Sequence, residues 1–286
     1  MKQLIITSDD FGLSSGVNRA VEQAWKNGLL TCASIMPGAP AFAEAVKIAR
    51  RNPGLQIGLH LTLVQGHSVL PPAEIPSLVD AAGNFTDNPV MGGMRYFLDR
   101  GLYCQLKREI EAQIKKVLDA GIQLTHIDGH LNIHLHPTVF RILIELMPQY
   151  GITTFRLAQE RLSHNLRFDS QRKFGKVIES LIFKKLTDHA RPELDRMGIN
   201  YAAEVKGVLN SGRMTEEYIL NIIDDLQEGL TEIYFHPGIL PDAEISRLMP
   251  DYRHQEELAA IMSPTLRQRL IALQIPVQNY RGEVKC

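Results

Sequence analysis

The chain alternates two kinds of segment, and that alternation constrains its fold more than any other feature. Short runs rich in β-branched and apolar residues occur at 3–12 (QLIITSDDFG), 29–37 (LLTCASIMP), 55–63 (LQIGLHLTL), 124–128 (LTHID), 153–158 (TTFRLA), 231–235 (TEIYF) and 275–280 (IPVQNY). Between several of them lie stretches with apolar residues at helical spacing, such as AFAEAVKIARR, LKREIEAQIKKVLDAG and TEEYILNIIDDLQEG. After the first run, Ser14 and Ser15 can cap a helix whose residues Val17, Ala20, Val21, Ala24 and Trp25 share one face, with Gly28 closing it. Strands alternating with amphipathic helices imply βαβ units and a parallel sheet. Seven or eight such units predict an α/β fold of the (β/α) TIM-like barrel type, complete or nearly so. The expectation is one barrel domain over residues 1–286. Two stretches interrupt the rhythm: a Pro-, Gly- and Asn-rich loop at 64–90 and a helical insertion at about 159–191.

Composition excludes several classes. Thirty-one basic against 32 acidic residues give a net charge of −1, without the basic excess of a nucleic-acid binder. Cys32, Cys104 and Cys286 are scattered and odd in number, which suggests neither a disulfide framework nor a CxxC metal site. No GxGxxG or GxxxxGK[ST] follows a strand, which argues against dinucleotide and P-loop sites. No signal peptide is visible before Asp9, and no apolar run approaches the roughly 20 residues of a membrane span. These features predict a soluble, cytoplasmic protein.

The first strand ends on two adjacent aspartates, Asp9 and Asp10. Burying neighbouring carboxylates is costly unless they are paired or bind a metal. Histidines stand at other strand ends: His60 in GLH, His126, His130 and His134 in THIDGHLNIHLHP, and His236 in HPG. In a parallel barrel the carboxyl ends of the strands meet on one face. Asp9, Asp10, His60, His130 and His236, distant in sequence, are thereby expected in one pocket. Carboxylate plus imidazole suits a divalent cation such as zinc, manganese or magnesium. His67, His164, His189 and His254 carry no such positional signal and read as ordinary hydrogen-bonding or capping residues.

The segments TSDDFGLSSGVNRAV, IGLHLTLVQG, THIDGHLNIHLHP and EIYFHPG resemble the YdjC-like carbohydrate deacetylases, which include the chitooligosaccharide deacetylases. VLPPAEIPSLVDAAGNF and PDYRHQEELAAIMSP resemble the hopanoid-biosynthesis-associated branch. One departure is that DGHLNIH stands where the oligosaccharide enzymes carry a longer unbroken histidine run. The resemblance implies a barrel with one divalent ion, magnesium or zinc, that hydrolyses the acetamide of an N-acetylated sugar; for the closer branch it implies an N-acetylglucosaminyl hopanoid lipid. It places Asp10, His60 and His130 as metal ligands, Asp9 as catalytic base and His236 as the acid. Arg156, Asp128 and His134 fall on the substrate side. Arg156 either orients the substrate or the catalytic pair, or pairs with a barrel carboxylate, while Asp128 and His134 can orient ligands. Two other functions fit the same residues: a sugar-binding protein without turnover, and a metal-dependent sugar isomerase.

Within 159–191, eight Lys or Arg accompany four Asp or Glu, and Phe174, Val177, Ile178, Leu181, Ile182 and Leu186 recur at helical spacing among Arg172, Lys173, Lys176, Lys184 and Lys185. Such a helix either packs on its own domain or a second subunit, as in a homodimer, or lies on an anionic membrane surface.

Overall fold

The computed structural model describes residues 1–285, so Cys286 lies outside the described residues. A curled, six-stranded parallel sheet carries the molecule: β1 (Lys2–Phe11), β2 (Cys32–Ile35), β3 (Gln56–Leu61), β4 (Leu124–Gly129), β5 (Glu204–Lys206) and β6 (Gly229–Phe235), in the order β4-β3-β2-β1-β6-β5. Leu4, Ile5 and Ile6 of β1 are buried, as a strand covered on both faces requires. The helices between strands are α1 (Ser15–Asn27), α2 (Phe42–Arg51), α3 (Pro89–Leu98), α4 (Tyr103–Asp119), α5 (Pro137–Leu146), α6 (Leu162–Phe168), α7 (Lys173–Met197) and α8 (Glu216–Asp224). After β6 come α9 (Ala243–Leu248), α10 (His254–Ile261) and α11 (Pro264–Ala272). Ser14 caps α1 as its sequence predicts, its side chain accepting from the Val17 N–H.

The expected seven- or eight-stranded barrel is corrected to six strands. Five of the seven strand-like runs become β1–β4 and β6. TTFRLA and IPVQNY do not, because each finds a partner for only one or two residues. Thr154 and Phe155 form isolated bridges to Asn200 and Ile127, so residues 153–156 span the gap between β4 and β5 without becoming a strand. Val277 bridges Leu4 alone. The short β5 fell within no apolar run, since Glu204 and Lys206 flank a single valine.

The carboxyl ends of β1, β3, β4 and β6 stand side by side. Ser8 is level with Ala33 and Phe235, and His60 with Asp128. Between Ser8 and Phe11 the register with β2 slips, and Asp10 takes a left-handed φ of 61°. A regular strand would point Asp9 and Asp10 to opposite faces; the bulge breaks that alternation.

The loop at 64–90 is pinned by isolated bridges His67–Asn84 and Val79–Phe85. The expected insertion contains α6 and α7, and α7 runs past residue 191 through Pro192 to Met197. Lys176, expected among the surrounding cations of that helix, is instead buried with its ammonium 2.9 Å from Asp169. Among the described residues no helix is long and apolar enough to cross a membrane.

Candidate metal centre

Three side chains from three strand ends converge. His60 Nε2 lies 3.2 Å and His130 Nδ1 3.0 Å from the same oxygen, Asp10 Oδ1. One donor atom from each of Asp10, His60 and His130 fits within 4.8 Å of the others, and all three residues are buried. Asp10 Oδ2 and His130 Nε2 are buried and meet no partner. Orphaned polar atoms in a dry site are costly, and two of them here belong to residues with ligand chemistry. Asp9, His60 and Asp128 also fall within ligand range of one another, but Arg156 already occupies Asp9 and Asp128.

Around this centre lie four buried acids, Asp9, Asp10, Asp128 and Glu232, and three of them, Asp9, Asp128 and Glu232, meet one guanidinium. Arg156, 1% exposed, donates to Asp9 Oδ2 and Oδ1 at 2.6 and 2.8 Å and to Glu232 at 2.8 Å, with Asp128 Oδ2 also 2.8 Å away. Burial works against its charge, yet Asp128, Asp9 and Glu232 hold it well above the usual arginine range. In this low-dielectric interior the acids are balanced by Arg156 and by the protonated His60 ring, and a divalent ion would supply the charge that the His60 proton otherwise brings. The residues therefore fit a metal.

The histidines divide by neighbourhood. Burial opposes the His60 imidazolium, but Asp128, Asp9 and Asp10 push the ring up to about 10. Its Nδ1 lies 2.7 Å from Asp128 Oδ1, so the ring donates there and turns Nε2 toward Asp10. A carboxylate behind a ligand histidine fixes its tautomer and orientation. Asp10 is opposed by burial yet held well below the usual carboxylate range by His130 and His60. Away from the cluster, burial drops His126 to about 4 and His134 to about 3, so both are neutral near pH 7. His126 sits 3.1 Å from Ser34 Oγ, which itself donates to Asp128 at 2.5 Å. His134 Nε2 donates to the Arg156 carbonyl at 2.8 Å.

Arg156, Asp128 and His134, expected on the substrate side, are all at most 1% exposed and are engaged with protein. Arg156 takes the ion-pair alternative, Asp128 holds His60, and His134 holds the backbone at Arg156. His236 follows β6 and is half-buried; burial lowers its ring, while Asp10 and Asp9 pull it upward. Sequence reasoning missed Glu232 and Tyr234, the latter with its ring centroid 4.5 Å from the Arg156 guanidinium carbon. The signal was present: Glu232 and Tyr234 alternate along β6 on one face, and His236 follows at the same two-residue spacing just past the strand.

The model of the YdjC-like protein family matches residues 3–272. The chain belongs to the YdjC-like family. A carbohydrate deacetylase of Thermoanaerobacter pseudethanolicus is 31% identical to this YdjC-like chain over 245 residues, 85% of this chain and 83% of the relative. One from Geobacillus stearothermophilus is 27% identical over 97% of this chain and 96% of its own. A crystal structure from Enterococcus faecalis V583, of a protein provisionally assigned to cellobiose-phosphate cleavage, superposes with a TM-score of 0.75 at 25% identity, covering 99% of both chains.

Proposed function

We propose that the chain is a carbohydrate deacetylase that hydrolyses the acetamide of an N-acetylated amino sugar, with magnesium or zinc held by Asp10, His60 and His130. The observation that carries this reading is the convergence of those three side chains beside the Arg156-bound Asp9, with Asp10 Oδ2 and His130 Nε2 unpartnered. The relatives named carbohydrate deacetylase support the reaction class. A bound divalent ion supplies Lewis acidity, polarising the acetamide carbonyl and making water a stronger acid. Asp9, aimed by Arg156 through two parallel hydrogen bonds, takes the proton of the attacking water at a carboxylate oxygen. Asp128 holds the His60 ring in register. His236 gives a proton to the departing amine; its lowered pKa makes the charged ring a stronger acid. Acetate and a free amino sugar leave. A site that only bound sugar would have no use for both a base and an acid.

For the substrate we infer an N-acetylglucosaminyl conjugate with an apolar aglycone, of which a hopanoid glycolipid is one case. Support comes from α7: Phe174, Ile178 and Leu181 are 87%, 60% and 64% exposed, and Lys173, Lys184 and Lys185 beside them are exposed too. An exposed apolar stripe flanked by cations suits peripheral contact with an anionic membrane, where a lipid-borne sugar would reside.

The test is acetate release from N,N′-diacetylchitobiose and from octyl N-acetylglucosaminide, with added zinc or magnesium and with EDTA. The expected result is metal-dependent acetate release, faster on the octyl glycoside. No acetate from either substrate with either metal would overturn the deacetylase reading. Faster release from the disaccharide would overturn the apolar aglycone alone.

A further inference from the structure

Nothing polar fixes the His236 ring from its buried side. Its Nδ1 is buried and meets no partner, and the ring stands edge-on to Tyr234 and Tyr252 at centroid distances of 5.6 and 5.1 Å. The aim of this ring is therefore set by its backbone, and both polar atoms of that peptide position are held from one place. The His236 N–H donates to Glu257 Oε2 at 2.5 Å, and His254 Nδ1 donates to the His236 carbonyl at 2.7 Å. Both side chains come from the start of α10.

The same segment reaches a second loop. Glu257 Oε1 accepts from the Met214 N–H at 2.9 Å, in the connection between β5 and α8. Tyr252 shares a 2.9 Å hydrogen bond with Ser211, and its ring packs on Gly212 (φ 75°), where a Cβ would lie 2.2 Å from the ring. Residues 252–257 thus tie together the loops that follow β5 and β6.

Glu257 is fully buried and no basic side chain lies against it. An uncompensated carboxylate is an expensive choice for a packing position. Its two oxygens explain it: two buried N–H groups each need an acceptor. Glutamine, of the same shape, brings only one acceptor oxygen, and an apolar residue brings none.

We propose that Glu257 is a positioning residue for the reaction, aiming the His236 ring by holding the His236 peptide to the β5 loop, with His254 completing the clamp. The inference rests on the proton-donor role given to His236 above. The test is a double-mutant cycle of His236→Gln and Glu257→Gln, read as kcat and KM on whichever of octyl N-acetylglucosaminide and N,N′-diacetylchitobiose turns over faster. Glu257→Gln alone should lower kcat by about 10²-fold, the scale of a small misplacement of a reacting group, with KM and bound metal unchanged. In the His236→Gln background it should cost almost nothing more, because there is no ring left to aim. An equal loss in both backgrounds, or wild-type kcat in Glu257→Gln, overturns the inference and leaves the function standing. Wild-type kcat in His236→Gln removes the proton-donor role itself, and this inference with it. Should Glu257→Gln not fold, His254→Leu, which deletes the other half of the clamp, goes through the same cycle with the same expected pattern.

Discussion

Arg156 donates to both oxygens of Asp9 from a segment that belongs to no strand of the sheet. The next residue, Asp10, faces the opposite way chemically, toward His60 and His130. Adjacent aspartates thus have separable tasks, and their amide variants should separate them. Asp9→Asn should keep metal while kcat falls by about 10²–10⁴-fold, the range of general acid–base catalysis. Asp10→Asn should lose metal and turnover together. Thermal unfolding checks this: zinc should raise Tm in wild type and Asp9→Asn, EDTA should reverse it, and Asp10→Asn should respond to neither. Near-normal acetate release by Asp9→Asn would sink the base assignment.

The Arg156 guanidinium is also structural. Arg156→Met would strand Asp9, Asp128 and Glu232 without their counter-charge in the interior. Urea unfolding of the metal-free protein should show a loss of roughly 3–5 kcal/mol, the cost of breaking a buried pair from one side. Arg156→Lys keeps the charge without the planar fork and should fall between. A Met variant as stable as wild type would mean that the carboxylates are solvated or protonated.

Glu257 predicts a pH dependence of stability. Burial pushes its carboxyl up to about 7 from an ordinary 4.5, although the Met214 and His236 N–H groups pull it down. The folded chain therefore holds this proton more tightly than the unfolded one. The stabilisation is fully present below 4.5 and is lost as pH rises through 7. The loss is on the order of 3 kcal/mol. Denaturation of metal-free protein at pH 5 and pH 8 should show a steeper decline in wild type than in Glu257→Gln. Parallel declines would place the titration elsewhere.

The exposed stripe of α7 gives a binding prediction. Wild-type protein should co-sediment with vesicles containing anionic lipid at low salt and be released at high salt. Phe174→Glu with Ile178→Glu should abolish the binding and leave hydrolysis of soluble N,N′-diacetylchitobiose unchanged. If wild type ignores the vesicles but elutes as a dimer that the double variant breaks, the stripe is a subunit interface.

Much of this was legible in the chain because a strand end is a local event. Apolar runs terminating in Asp9-Asp10, His60, His130 and His236 brought those residues to one rim without knowledge of any contact. What stayed hidden depends on pairing at a distance. TTFRLA reads as a strand, yet a strand exists only where neighbours offer a ladder, and Thr154 and Phe155 find one bridge apiece. Arg156 in that run reads equally as a substrate ligand or an ion-pair hub until Glu232 and Asp128 are seen against it. His254 looked unremarkable because its partner is a carbonyl, which any sequence supplies.

The left-handed backbone at Asp10 narrows what descendants of this chain can become. Few residue types tolerate that conformation without strain; glycine does so freely, and asparagine and aspartate more readily than the rest. Of these three, only aspartate carries a charge. Aspartate codons are one nucleotide from those of both other residues, and either replacement relieves strain or removes a buried carboxylate. On the proposed function, the shortest evolutionary exit from catalysis at this position is thus a single-nucleotide step that the local backbone tolerates, at the cost of the oxygen shared by His60 and His130. On that same reading, a relative with glycine or asparagine here would lack a metal ligand while keeping a backbone its residue can adopt.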